Sequence, residues 1–327
     1  MKKAKKVGPH GGSLVNLMVD EERAAVLKEI AMNLPDITLN DRQLCDLELL
    51  ATGAFSPLDG FMSRTDYESV LDRMRLQSNV LWPIPVCLGI SDIQAKALEA
   101  GQSVTLRDQE GFLLAIMHIE DMWPVDREKE ASLVYGTTDR NHQGVEYLFN
   151  TEGDHYLGGK IEVLSLPLHF DFKQLRMTPL EIRNIYRKLG WQRVVGFQTR
   201  NPIQRPQLEM TVAAMRHARA NLLLLPITGM TKPSDFDHYT RVRCYRAVTR
   251  HYPPDSFLLN LLPLSMRLSG PKDALLHTII AKNYGCTHFI IGRDHAGPGI
   301  DAGGNPFYQR DAAHRLTQEY SSEIGMT

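Results

Sequence analysis

From about Pro167 onward, short apolar runs alternate with stretches whose apolar residues recur at helical spacing. Residues 193–197, 221–226, 257–262 and 288–291 are continuous apolar runs of strand length. Residues 206–220, 236–251 and 272–284 have the three-to-four-residue period of amphipathic helices. Strand and helix in regular alternation predict a Rossmann-like parallel sheet covered by helices. The earlier half has a different texture: β-prone runs at 80–88, 103–106 and 112–119 are broken by Gly, Pro and Asp turns, with helical pieces near 20–32 and 64–74. The expected organisation is therefore an α/β chain of two domains, a mixed β-rich one over residues 1–166 and a parallel α/β one over 167–327. A length of 327 residues favours two domains over a single core.

The loops after the strands of the second half narrow the chemistry. The four runs empty into QTRNP, ITGMTKPSD, PLSMRLSGP and GRDHAGPG. Open α/β sheets bind ligands beyond the carboxyl ends of their strands, so these loops are expected to converge on one crevice holding Arg200, Lys232, Arg267, Arg293 and His295. Guanidinium groups bind phosphate or sulfate bidentately, and helix N-termini add positive potential, so the expected ligand is a polyanion such as a phosphorylated substrate. Taken singly, each residue has a plainer explanation. Arg200 and Lys232 suit a solvated surface, and His277 and His288 suit a core. Asp294 suits a turn cap, and Gly297 and Gly299 suit turn geometry. The functional reading rests on the four loops being in phase.

Composition removes other classes. With 43% hydrophobic and 23% charged residues and a net charge of -1, the chain is an ordinary globular protein with no bulk attraction for nucleic acid. Cys45, Cys87, Cys244 and Cys286 form no CxxC and no ligand spacing, which points to reduced core thiols and no protein-held metal. The basic MKKAKKVGPHGG start leads into turn residues, and no stretch approaches the roughly 20 apolar residues of a membrane span, so a cytoplasmic location is expected.

The chain resembles the ATP sulfurylase (sulfate adenylyltransferase) family. The motifs that carry the resemblance run in one order along nearly all of it: PHGG at 9–12, DLELLATGAFSPLDGFM at 46–62, LWPIPVCLGI at 81–90 and TPLEIR at 178–183. They continue with GWQRVVGFQTRNP at 190–202, MRLSGPKDALLH at 266–277, NYGCTHFIIGRDHAGPG at 283–299 and FYQRDA at 307–312. The resemblance implies a PUA-like N-terminal domain and a nucleotidylyltransferase domain that joins ATP and sulfate into adenylyl sulfate and pyrophosphate, with Mg2+ accompanying the nucleotide. By position, Gln198, Thr199, Arg200, Asn201, Gly292, Arg293, Asp294 and His295 would line the ATP site. Arg200 and Ala296 would contact sulfate, and Thr199, Arg200 and Asn201 match the catalytic positions. The family tends to form homo-oligomers, and some members carry an adenylylsulfate kinase module.

Three departures qualify this. Where the family has two histidines spaced HxxH after QTRNP, this chain has Gln204 and Gln207; where it has Arg before Lys-Asn, this chain has Ala281. After GRDHAGPG the family continues for several dozen residues, while this sequence ends at Thr327, which leaves open a missing small domain or a longer natural polypeptide. Glutamine can donate a hydrogen bond to an anion but cannot be protonated. The sequence therefore supports a working sulfate adenylyltransferase, slowed or at full rate. Alternatives are an impaired domain that binds nucleotide or scaffolds a kinase, and an adenylyltransferase with another oxyanion acceptor, for which nothing positive speaks.

Overall fold

The computed structural model describes residues 7–229 and 235–327. Its first half is built on a six-stranded mixed sheet, β1 (Asp36–Thr38), β2 (Gly60–Phe61), β3 (Leu88–Ile90), β4 (Ser103–Arg107), β5 (Leu113–Pro124) and β6 (His155–Val163). The order is β1-β4-β5-β6-β2, with β3 also on β6. Only β1 and β4 run parallel; the other pairs are antiparallel. Glycine is required where β2 meets β6, because a Cβ on Gly60 would lie 2.1 Å from the Gly159 carbonyl oxygen.

The expected strand at 80–88 is not formed; of it only Leu88 enters β3. Pro83 and Pro85 remove two backbone donors, so the segment runs as buried coil, and the Trp82 indole N–H donates to the Ile84 carbonyl at 2.8 Å. Sequence reading also missed the helix Asp41–Ala51, which a capping box between Asn40 and Gln43 starts.

The second half contains a parallel sheet of β7 (Val194–Thr199), β8 (Asn221–Pro226), β9 (Phe257–Leu259) and β10 (His288–Phe289), in the order β10-β7-β8-β9. The helices Arg205–Ala218, His238–Val248 and Pro271–Asn283 form the crossovers. The last is buried at ten of its thirteen residues, Ala281 included, so the arginine that the family resemblance suggests there would need a buried partner.

The two halves share one apolar core, which runs from Ile37 in β1 through Trp82, Leu275 and Ile280 to Met326. Polar bonds reinforce it. Asn283 Nδ2 donates to the Ala54 and Ser56 carbonyls at 2.9 and 3.0 Å, and its Oδ1 accepts the His10 N–H at 2.8 Å. Among the described residues, no helix is long and apolar enough to cross a membrane.

Candidate functional site

The strand order determines where a ligand crevice can open. From β7 the chain steps to β8 and β9 on one side and then crosses back to place β10 on the other. The loops after β7 and β10 therefore diverge around a switch point, and the backbone bond from Ile290 N–H to the Gly196 carbonyl (3.0 Å) keeps the two strands paired up to it. This geometry brings Gln198, Thr199, Arg200 and Asn201 next to the 292–296 loop.

At the β7 end, Thr199 Oγ1 accepts the Asn201 N–H (3.2 Å) and donates to the Asn201 carbonyl (2.9 Å), which closes a tight turn. The helix Arg205–Ala218 begins four residues later. The neighbouring helix His238–Val248 holds the turn from the other side. Arg241 Nη1 donates to the carbonyls of Arg200 (3.1 Å) and Ile227 (3.0 Å), and the Tyr245 hydroxyl donates to the Asn201 carbonyl (3.1 Å). Both loop carbonyls are thus occupied, which reduces the negative potential an incoming anion would meet. Sequence reading overlooked Arg241 and Tyr245, although their four-residue spacing on a helix puts them on one face.

Three side-chain atoms here are buried without a hydrogen-bond partner. Gln198 is 6% exposed, yet neither its Oε1 nor its Nε2 has a hydrogen-bond partner, and neither does Arg200 Nη1. Arg200 Nε lies 3.6 Å from Asp235 Oδ2, a loose ion pair. Buried amide and guanidinium groups left unsatisfied cost stability, and in native proteins they concentrate where a ligand completes them.

Across the switch point, Arg293 and Asp294 are exposed and His295 is half-buried. Burial pushes the His295 imidazole down to about 3, and its neighbours His277 and Arg200 add to the effect. Ala296 adopts a left-handed backbone, φ 53, and its carbonyl accepts the Gly270 N–H at 3.3 Å. Asp294 serves the loop itself: its carbonyl accepts the Gly297 N–H (3.4 Å), and its carboxylate fills the space a Cβ on Gly297 would need.

The remaining candidates separate. Arg267 is turned away from the crevice: at 4% exposure, its Nη2 binds Asp46 Oδ2 at 2.5 Å and its Nη1 donates to the Ser265 carbonyl at 2.7 Å. A buried guanidinium needs a carboxylate, and Asp46 of the first half supplies it. Lys232 lies outside the described residues. His288 pairs with Thr287 Oγ1 at 2.8 Å, and His277 lies inside the Pro271–Asn283 helix at 1% exposure. Gln204 is exposed at the N-terminus of the Arg205–Ala218 helix. Gln207 is half-buried, and its Oε1 accepts the Gln204 N–H at 2.8 Å, which caps the helix.

A cleft of ≈ 450 Å³ lies beside the loop after β8, lined in part by Glu48, His169, Asp171, Arg176 and His238. Several of its charged groups are paired among themselves, His169 with Glu48 at 2.8 Å and Asp171 with both Arg176 (3.2 Å) and His238. At the crevice between β7 and β10, the Gln198 amide and Arg200 Nη1 are left without hydrogen-bond partners.

Residues 173–327 match the ATP-sulfurylase family model, and residues 7–166 match that of the PUA-like domain. The chain is 47% identical over 322 residues to a protein of Mycosarcoma maydis named sulfate adenylyltransferase, covering 97% of this chain and 56% of that one. A protein of the same name from Schizosaccharomyces pombe is 47% identical over 303 residues, covering 92% and 62%. A solved structure titled "Hexameric APS kinase from Thiobacillus denitrificans" superimposes with a TM-score of 0.77 at 31% identity, covering 98% of this chain and 55% of that one. The chain thus spans somewhat over half the length of the curated relatives it matches.

Proposed function

Because the chain belongs to the ATP-sulfurylase family, we propose that it is a sulfate adenylyltransferase, converting ATP and sulfate reversibly into adenosine 5′-phosphosulfate and pyrophosphate. The observation that carries this reading is the pair of buried, unpartnered groups at the end of β7, the Gln198 amide and Arg200 Nη1, beside the 292–296 loop. In this reading Gln198, Thr199, Arg200, Asn201, Gly292, Arg293, Asp294 and His295 line the ATP site, and Arg200 and Ala296 contact sulfate. Residues 1–166 and 167–327 are its two domains.

A sulfate oxygen attacks the α-phosphorus in line, the new O–P bond forms, and the α–β bridging bond breaks with its electron pair leaving on pyrophosphate. Sulfate is already an anion and needs no general base, so the chain contributes positioning and charge stabilisation. Arg200 offers a guanidinium that its distant partner Asp235 does not saturate. Arg241 and Tyr245 hold the backbone of the turn in place. In this reading Mg2+ would be carried on the nucleotide's phosphates, where it would neutralise charge. The remaining elements of the reading are a cytoplasmic location and a homo-oligomer. The structural relative from Thiobacillus denitrificans, named as hexameric, supports the latter.

The glutamines support a second reading. A charge-assisted hydrogen bond is worth roughly 1.5–3 kcal/mol against roughly 0.5–1.5 for a neutral one. Exchanging two histidines for glutamine would therefore cost about 2–4 kcal/mol in the barrier, roughly 30- to 1000-fold in rate. Gln207 has, in addition, committed its Oε1 to the helix cap. An impaired domain that binds nucleotide, or scaffolds an adenylylsulfate kinase, is the alternative.

Sulfate-dependent exchange of labelled pyrophosphate into ATP, with Mg2+, separates the two readings. Robust exchange by the wild type ends the platform reading. No exchange in the wild type, with recovery in the Gln204→His, Gln207→His double variant, sinks the working-enzyme reading. Silence in both, with ATP binding retained in calorimetry, favours the platform.

A further inference from the structure

His277 lies inside the Pro271–Asn283 helix and has no part in the adenylyl transfer proposed for this chain, yet it touches the site. Its Nδ1 is 2.8 Å from His295 Nε2, the ring centroids are 5.1 Å apart and the planes meet at 65°. On the far side, His277 Nε2 is buried without a hydrogen-bond partner and points toward Asp273 Oδ1 across 3.9 Å. Asp273, one turn earlier and 1% exposed, anchors its other oxygen on the Ser269 N–H at 3.3 Å. At the loop end, His295 Nδ1 accepts the Gly292 N–H at 3.5 Å. These contacts form a chain from a buried carboxylate through two imidazoles to the first residue of the 292–296 loop.

The chain has one consistent set of protons. Burial lowers both histidines to about 3, so each ring is neutral and carries a single N–H. Gly292 can only donate, and its long 3.5 Å contact weakly favours a bare His295 Nδ1 with the proton on Nε2, where His277 Nδ1 stands as the closer acceptor at 2.8 Å. That proton is donated to His277 Nδ1, which leaves the His277 proton on Nε2, facing the Asp273 carboxyl. The reverse arrangement would set an N–H of His295 against the Gly292 N–H and a lone pair of His277 against a carboxylate, and is unfavourable at both ends. The other charged groups near the pair are Arg200 on the loop side and Arg267 on the helix side, both of which oppose protonation.

We propose that His277 is a positioning residue: from the helix it holds His295 as the Nε2–H tautomer with its proton turned inward, and so fixes the 292–296 loop against the end of β10. His295 then offers the crevice no donor and acts by anchoring backbone. Ala296, the next residue, is held in its left-handed conformation between this anchor and the Gly270 N–H. The effect on ligand binding rests on the 292–296 loop being nucleotide-binding; the tautomer does not.

Long-range 1H–15N correlation spectra of the ligand-free full chain read the tautomer directly, and calorimetry with ATP reads the positioning. In the wild type, His295 should show a protonated Nε2 and a bare Nδ1. His277→Leu, which removes the acceptor, should turn His295 into a tautomer mixture and weaken ATP binding about tenfold, the loss of one hydrogen bond. His277→Asn, which keeps an oxygen near the Nδ1 position, should restore both to within a few-fold of wild type, and it carries the test if the Leu variant does not fold. A wild-type His295 protonated on Nδ1 overturns the proposal, as does an unchanged tautomer or unchanged ATP affinity in His277→Leu. If the wild type binds no ATP while the tautomers behave as stated, the nucleotide-site reading fails and the relay stands.

Discussion

Removing Asp46 tests how the first half supports the crevice of the second. Asp46 and Arg267 are 2% and 4% exposed and meet at 2.5 Å, and burial, which alone would lower the Arg267 pKa, is outweighed by the Asp46 carboxylate, which raises it. In Asp46→Ala the guanidinium stays buried, keeping its bond to the Ser265 carbonyl and only distant compensation from Asp273. Deleting one partner of a buried pair costs roughly 3–5 kcal/mol. Asp273 moderates the loss, so about 3 kcal/mol is expected, or roughly 4–5 °C in thermal midpoint for a chain of this size. The damage should also reach the crevice, because Arg267 belongs to the segment whose Gly270 N–H holds the Ala296 carbonyl. Reversible urea titration followed by far-UV circular dichroism measures the cost, and the double variant Asp46→Leu, Arg267→Met supplies the control. An apolar pair of similar volume should come within about 1 kcal/mol of wild type. A loss below about 1 kcal/mol for Asp46→Ala, or a double variant as unstable as the single, would refute the argument.

Gln198→Leu should raise stability by about 1 kcal/mol, since an unpartnered buried amide is replaced by an apolar side chain, while ATP binding measured by calorimetry is lost. Arg200→Lys should lower sulfate-dependent pyrophosphate exchange by about 10²- to 10³-fold with little change in melting temperature, because an ammonium cannot reproduce the planar fork. Glu130 is 7% exposed; burial pushes its carboxyl up to about 7, although hydrogen bonds from Tyr67 and Tyr156 pull the other way. A carboxyl raised in the folded state contributes stability below its unfolded value and loses it as pH climbs toward 7. Glu130→Gln should therefore gain on the wild type between about pH 4.5 and 7 and level off above, by up to about 3 kcal/mol in urea titrations at a series of pH values. A difference independent of pH would contradict the assignment.

The second half was legible because its signals are local. β8 occupies the expected residues 221–226 in full, and the helix expected at 206–220 is observed at Arg205–Ala218, where an apolar run and a Gln-x-x-Gln start leave little choice. The first half was less legible because apolar content alone does not make a strand. The 80–88 segment is buried yet mostly unpaired, and β6 lacks the simple alternation that marks a half-buried strand. The site shows the same division. Gln198 through Asn201 and the 292–296 loop could be brought together by counting strands. The fate of Arg267 could not, because its carboxylate lies 221 positions away. Gln207 carried a readable sign of its capping role in the three-residue spacing from Gln204.

The shared core has a consequence for how the chain is made. A ribosome releases the first half complete, with its sheet strands all present, while the apolar surface that Leu275, Ile279 and Ile280 will cover is still bare. The helix that covers it, Pro271–Asn283, emerges only after β7, β8 and β9, and it is buried by both halves at once. Final docking must therefore wait until residues 271–283 have been made, so nascent chains shorter than about residue 283 are the ones that should depend most on chaperones.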